Sequence, residues 1–174
     1  MRTPVFVNQL HAILVRDLRA LRREVDAYPD DASVWVVPEG IANSAGSLVL
    51  HLVGNLRSYV GHVLGGDGYE RDRPREFSAR HVPRAELIRE IDRAIDAVHR
   101  ATPTLTAEAL AAEYPLAIGP VKLNTQDFLV HLAVHLGYHL GQVDYHRRFV
   151  TRSPVTVATV APAELFSAQA AITA

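Results

Sequence analysis

The chain has 174 residues, of which 48% are hydrophobic and 21% charged, with a formal net charge of −1. This composition is typical of one globular domain with a buried core and argues against an intrinsically disordered chain. The near-neutral charge gives no electrostatic reason to expect nucleic acid as a partner, and the absence of cysteine excludes disulfides, thiolate zinc sites and iron–sulfur clusters.

The first predicted helix runs from about Pro4 to Tyr28. Apolar residues recur along it at helical spacing, which predicts an amphipathic helix packed on a core. The apolar positions are Val7, Leu10, Leu14, Leu18, Leu21 and Val25. The opposite face carries Arg16, Arg19, Arg22, Arg23 and Glu24. Turn residues Pro29, Asp30 and Asp31 end the helix.

The second predicted helix begins at Asn43 or Ser44, both good N-caps, and ends near Val63 before Gly65 and Gly66. Beside its apolar stripe lies a polar stripe at spacings of three and four: Ser44, Ser47, His51, Asn55, Ser58 and His62. Residues 64–82 are rich in Gly, Pro and charge, and predict irregular structure.

Two more long helices complete the pattern. The third begins at Pro83, a residue type favoured at the first helical position. A short helical turn is predicted over 106–113, and the fourth long helix runs from Asn124 or Thr125 to about Phe149. We therefore expect an all-α four-helix bundle over residues 1–152, followed by a tail, 153–174, in which a short helix from Pro162 competes with loose order.

Connection lengths suggest the order of the helices. A link of about 19 residues at roughly 3.3 Å each reaches about 60 Å, whereas a helix of about 20 residues is only about 30 Å long. The link between the second and third helices can therefore return along the bundle, so that these two run parallel. The short connection over 29–43 suits antiparallel first and second helices.

The sequence also predicts where the protein resides. Asn8, Gln9 and His11 interrupt the first fifteen residues, which makes a poor signal-peptide core. No apolar run approaches the roughly 20 residues needed to span a bilayer. We expect a cytoplasmic protein with no membrane partner.

Histidine is the unusual feature of the composition, with nine residues. His135 and His139 lie four apart in the fourth helix, so both project from one face. His51, on the polar stripe of the second helix, is the best third member. Three imidazoles suit Zn²⁺, Ni²⁺, Fe²⁺ or Cu²⁺ and leave positions open for water or substrate.

Other interpretations of these histidines stay open. Most histidine pairs at this spacing in soluble proteins bind no metal. His131 lies one turn before His135, so the pair 131/135 is a rival for the pair 135/139. His62 and His146 fall near bundle ends and are expected to be solvated, and His11 has no identifiable partner.

Neighbouring polar residues have alternative roles as well. Asn55 and Gln142 each lie one turn from a candidate ligand and could orient it or bind substrate, or simply fill a helix–helix seam. Tyr138 and Tyr145 are interpreted as core residues, with proton donation near the metal as the alternative. The charged run Arg57, Arg71, Asp72, Arg73 and Arg75 predicts a solvated loop or a clamp for a substrate carboxylate.

Three segments, read in order, resemble the DinB/YfiT-like superfamily of metalloenzymes, most closely a branch with an H-L-x-G-N-L-R segment. They are NSAGSLVLHLVGNLRSYVGHVLGG, RDRPREF and HLAVHLGYHLGQVDYHRR. The resemblance covers about residues 5–150, including Trp35 and Pro38. It implies an up-down-down-up bundle and a metal triad at His51, His135 and His139, because Gly141-Gln142 follows the last histidine closely.

The resemblance also implies a function. Relatives include transferases and isomerases that use a low-molecular-weight thiol, and homodimers are common among them. We therefore expect a divalent metal, Zn²⁺ or Ni²⁺ before Fe²⁺, that serves thiol transfer or metal-assisted hydrolysis on a small-molecule substrate. The alternative is a non-catalytic, metal-binding helical scaffold or a stress-related interaction protein.

Overall fold

The structure, a computed structural model, describes residues 3–157 and 160–171. These residues form six α-helices: α1 (Val5–Asp26), α2 (Ala45–Leu56), α3 (Arg73–Ser78), α4 (Arg84–Ala101), α5 (Ala107–Ala111) and α6 (Thr125–Thr151). Short 3₁₀ turns lie at Ser33–Trp35, Thr102–Thr104 and Pro162–Glu164. The described residues form no β-strand, so the expected all-α class is confirmed.

The four long helices α1, α2, α4 and α6 enclose one apolar core. Leucines on the predicted stripe of α1, among them Leu14, Leu18 and Leu21, are fully buried. They meet apolar side chains of the other three helices, such as Leu52, Ile91 and Leu136. Each fully buried leucine contributes about 1.5–3 kcal/mol relative to an exposed one, so this core dominates the stability of the bundle.

Contacts at two levels of each helix pair give the helix directions. Between α1 and α6, Glu24 meets Arg147 and Asp17 lies beside Gly137; between α1 and α4, His11 meets His99 and Arg22 meets Asp92. Arg57 and Gly61, in the continuation of α2, meet Glu90 and Ala97 of α4. His51 of α2 and Tyr59 of its continuation meet His135 and Phe128 of α6. Helix α1 therefore runs parallel to α6 and antiparallel to α4, while α2 runs parallel to α4 and antiparallel to α6. These directions are compatible with an up-down-down-up order.

The predicted helix starts agree closely with the structure. Ser44 caps α2, its hydroxyl accepting a hydrogen bond from the Ser47 backbone N–H, and Asn124 caps α6 by accepting from the Asp127 backbone N–H. Pro83 precedes α4 as its N-cap instead of opening the helix. Short polar side chains hold these starts because they satisfy backbone donors that the first turn leaves unpaired.

The second predicted helix changes type near its end. Residues Arg57–His62 continue α2 as a π-helix, in which the Val63 N–H donates to the Ser58 carbonyl at 3.0 Å, five residues back. A Cβ atom on Gly61 would come within 2.9 Å of the Ala97 Cβ. This segment therefore packs closely against α4.

The prediction of irregular structure throughout residues 64–82 is wrong at one point. Helix α3 forms within this link because Asp72 accepts a hydrogen bond from the Arg75 backbone N–H and Pro74 occupies the first turn. Helix α3 packs on α2. It thereby brings Glu76, which is only 4% exposed, into the bundle.

The segment after α6 folds back along the bundle. Arg152 ends α6 in the left-handed conformation, and the Val155 carbonyl accepts a hydrogen bond from Arg147. The predicted helix at Pro162 is a single 3₁₀ turn that contacts α1. Of the tail 153–174, residues 158, 159 and 172–174 lie outside the described residues. Within the described residues, no helix has the length and apolar character that crossing a membrane requires.

Candidate metal centre

The structure brings together the three histidines that the sequence singled out. His51 projects from α2, and His135 and His139 project from successive turns of the antiparallel α6. One ligand nitrogen of each ring lies within 4.8 Å of those of the other two. His51 is 8% exposed, and the other two histidines are half-buried.

The distance between two of the rings matches what a shared metal needs. The Nε2 atoms of His51 and His135 are 3.2 Å apart. Two nitrogens bound to one zinc ion at 2.0–2.1 Å with tetrahedral angles lie about 3.4 Å apart. A divalent cation therefore fits between these rings with only small adjustments.

Glu76 holds the other side of the His51 ring. Its Oε2 lies 3.0 Å from His51 Nδ1. Arg71 donates two hydrogen bonds to the same carboxylate, Nε to Oε1 at 2.6 Å and Nη2 to Oε2 at 2.9 Å. Burial alone would raise the pKa of the Glu76 carboxyl, but the hydrogen bonds from Arg71 and His51 outweigh burial and hold that pKa below its ordinary value.

His139 has a neutral partner in the corresponding place. Its Nδ1 lies 2.6 Å from Gln142 Oε1, one turn further along α6. An amide oxygen only accepts hydrogen bonds, so the His139 Nδ1 carries the proton and Nε2 keeps its lone pair. The sequence interpretation of Gln142 as a residue that orients His139 agrees with this contact.

His135 differs from the other two rings. Its buried Nδ1 has no hydrogen-bond partner among the described residues. Burial, followed by the nearby His139 and His51, lowers the pKa of His135 to about 4. Burial also lowers the pKa of His139, although its bond to Gln142 acts the other way. Both rings are therefore neutral near pH 7, as metal ligation requires.

The structure separates His131 from this group. The His131 side chain is exposed, and its ring stacks on those of Phe128 and His135, with centroids 6.0 Å from each. It does not belong to the cluster of ligand nitrogens. The geometry therefore favours the pair 135/139 over its rival.

Two of the other histidines behave differently from expectation. His62 is exposed as expected, but the expectation for His146 is wrong, because His146 is only 4% exposed. Its Nδ1 lies 2.7 Å from the Tyr28 hydroxyl and its Nε2 lies 2.8 Å from the Val36 carbonyl. His11 has a partner after all, with Nδ1 2.6 Å from the Thr102 hydroxyl.

The remaining sequence candidates are partly corrected. Tyr138 and Tyr145 are 64% and 76% exposed, so the core interpretation is wrong for both. Arg57 pairs with Glu90 and Arg71 with Glu76. Since protein carboxylates already occupy these guanidinium groups, the contacts do not favour a substrate-carboxylate clamp there.

Asn55 is buried one turn beyond His51. Its Oδ1 has no hydrogen-bond partner among the described residues, so its predicted role toward a ligand stays a prediction. Glu76 is the residue that sequence reasoning missed. The only signal was an acidic residue in the quoted segment RDRPREF.

An apolar groove borders the centre. It has a volume of about 450 Å³ and is lined by Ile41, Leu48, Gln142, Tyr145 and Phe149, among others. Gln142 touches both this groove and the His139 ring. A larger cavity of about 520 Å³ between α1, α6 and residues 165–167 is lined by none of the three histidines and by neither of their partners, Glu76 and Gln142, so we assign it no part in the centre.

Comparison with known proteins places the chain in a family. A search of curated proteins gave no match. The family model of the DinB superfamily matches residues 13–143. This segment is well over half of the chain and contains all three histidines and Glu76. The chain therefore belongs to the DinB superfamily.

Proposed function

We propose that this protein is a metal-dependent enzyme in which His51, His135 and His139 hold one divalent cation, zinc or nickel, with iron as a further candidate. The observation that carries the proposal is the convergence of three imidazole nitrogens within 4.8 Å. Neutral imidazole is the form that binds these metals, and the lowered pKa values of His135 and His139 support it.

A cation on three protein ligands keeps one to three positions for an exogenous ligand, where it would lower the pKa of a bound water or thiol and polarise a carbonyl. The chain supplies the geometry. Glu76 and Gln142 orient two of the ligand rings, and the apolar groove beside Gln142 offers room for the apolar part of a small substrate.

The reaction that we propose is transfer of a low-molecular-weight thiol to an electrophilic carbon. The thiol sulfur forms the new bond to carbon, the leaving group departs with the bonding electron pair, and the thiol proton passes to solvent. If water replaces the thiol, the same site performs hydrolysis. A substrate with an apolar body and a small polar reacting group would match the groove and the centre.

Metal content tests the centre directly. We expect about one equivalent of zinc, nickel or iron in the untagged protein purified without added metal. His135→Ala should remove this metal, and His131→Ala, one turn earlier on the same helix, is the matched control and should keep it. If H135A retains full occupancy, or H131A loses it, the assignment of ligands is wrong.

Turnover tests catalysis separately from binding. The metal-loaded protein would be assayed with a panel of thiols and electrophiles and, in parallel, with hydrolysable esters and amides. We expect activity that disappears on chelation and returns when metal is restored. A protein that binds metal tightly but turns over none of these substrates would instead support the non-catalytic scaffold.

A further inference from the structure

Arg71, Glu76 and His51 form a continuous series of contacts between α2 and α3. We propose that Glu76, fixed by Arg71, is a positioning residue that sets the tautomer and orientation of His51, and thereby the metal affinity of the centre. This inference rests on the proposed function, because it assumes that His51 is a ligand.

The distances indicate which ring nitrogen of His51 carries the proton. Its Nδ1 has two polar neighbours, Glu76 Oε2 at 3.0 Å and Arg71 Nη2 at 3.4 Å. A carboxylate can only accept a hydrogen bond and a guanidinium can only donate one. The contact with Glu76 is within normal hydrogen-bond distance, whereas 3.4 Å is beyond it. Nδ1 therefore carries the proton, and Nε2 keeps its lone pair for a metal.

Arg71 keeps Glu76 able to accept the hydrogen bond from His51. The two parallel bonds from Arg71 fix both carboxylate oxygens, a geometry that favours the ionised form. The side chains of Arg71 and Glu76 are 12% and 5% exposed. Water therefore competes little for these bonds, and a carboxylate so placed fixes the ring orientation of the imidazole that it contacts.

The backbone of α2 leaves room for the Glu76 carboxylate at Gly54. Gly54 lies one turn before the π-helix, and a Cβ atom there would overlap Glu76 Oε1. Helix α3, which carries Glu76, is anchored by its Asp72 cap. The Glu76 side chain thus has one place to lie, between Arg71 and His51.

The other two ligands lack such support. His139 has a neutral, exposed partner in Gln142, and His135 Nδ1 has no partner among the described residues. The three rings therefore differ, and His51 is the one that an anion fixes. Loss of the Glu76 charge should weaken metal binding more than loss of the Gln142 amide.

The test is a zinc titration of chelator-stripped protein, with a chromophoric chelator as competitor. Glu76→Gln should weaken zinc affinity by about 10–100-fold, the usual effect of removing such a partner. The matched control is Glu90→Gln, which removes a carboxylate that pairs with Arg57 at 2.9 Å and not with a histidine. This variant should leave zinc affinity unchanged. Equal affinities for wild type and E76Q, or equal losses in E76Q and E90Q, overturn the inference.

A measurement on wild-type protein covers the case in which E76Q does not fold. Nitrogen-15 chemical shifts of the metal-free protein, recorded where the His51 ring is neutral, should place its proton on Nδ1. Protonation on Nε2 would overturn the inference. If wild-type protein refuses zinc altogether, the proposed function fails with it, whereas tight wild-type binding with an unaffected E76Q rejects the positioning role alone.

Discussion

The Glu76 carboxylate reaches His51 because Gly54 has no side chain. An added Cβ would overlap Glu76 Oε1, and that oxygen cannot swing away freely because Arg71 holds it. At Gly141 on α6, by contrast, an added Cβ would meet no atom within 4 Å. These two helical glycines therefore offer a matched pair.

Gly54→Ala should destabilise the fold by about 1–3 kcal/mol, the usual cost of overpacking, and should weaken zinc binding by displacing Glu76. Gly141→Ala should instead stabilise by about 0.5–1 kcal/mol, because alanine favours the helix and nothing obstructs its methyl group. Urea unfolding of both variants measures the difference. If G54A is as stable as G141A, the close packing at Glu76 is unimportant.

At the same scale, the sequence indicated the histidines but not their partner. His135 and His139 share a face because four residues make about one helical turn, and the polar stripe of the second helix indicated His51. Glu76 could not be found in this way. It lies in a run of arginines that suggests a solvated loop, and only the packing of α3 on α2 buries it.

At the scale of elements, the helix starts follow from short-range chemistry. A capping side chain satisfies a backbone donor within three residues, so it can be recognised without tertiary information. The π-helix at Arg57–His62 could not be predicted, because the polar stripe of the second helix continues through it at helical spacing, at Ser58 and His62. In the structure its Gly61 lies against Ala97 of α4, a contact that a sequence pattern does not reveal.

The cap of α6 gives a prediction at this scale. Asn124→Ala should cost about 1 kcal/mol, because it removes the acceptor for the Asp127 N–H. Asn124→Asp should cost little, since the carboxylate keeps the acceptor and its charge suits the helix N-terminus. Thermal or urea unfolding compares them. Equal destabilisation by both substitutions would show that the cap contributes nothing.

At the scale of the whole molecule, buried polar groups tie distant helices together. Glu24 of α1 and Arg147 of α6 are almost fully buried and form an ion pair, although the sequence placed Glu24 on the solvent face. His146 joins α6 to Tyr28 and to the Val36 carbonyl.

The homodimer that the resemblance implies stays a prediction, which a measurement of molar mass by light scattering would test.

His146 predicts a pH dependence of folding. Burial lowers its pKa below the ordinary 6.5, an effect only partly offset by its bond to Val36. Below about pH 6.5 the unfolded chain takes up a proton that the folded protein resists. The stabilisation that depends on neutral His146 is therefore complete above that pH. As the pH falls below it, the free energy of unfolding decreases by up to about 1.4 kcal/mol per pH unit.

Urea unfolding between pH 5 and 7, with chelator present, measures this slope. His146→Gln should show a smaller slope than wild type, because glutamine does not titrate. His62→Gln, at an exposed histidine, should keep the wild-type slope. The same slope in all three proteins would mean that the proton on His146 does not affect folding.

The sequence by itself determined the helical class, the number of long helices, most of their starts and the three candidate ligands. Each of these depends on residues within about one helical turn, or on short segments resembling a family. Tertiary structure alone decided that α3 brings Glu76 and Arg71 to His51, that His146 is buried and that Glu24 pairs with Arg147. These pairs lie far apart in the chain, so only the packing of helices brings them into contact.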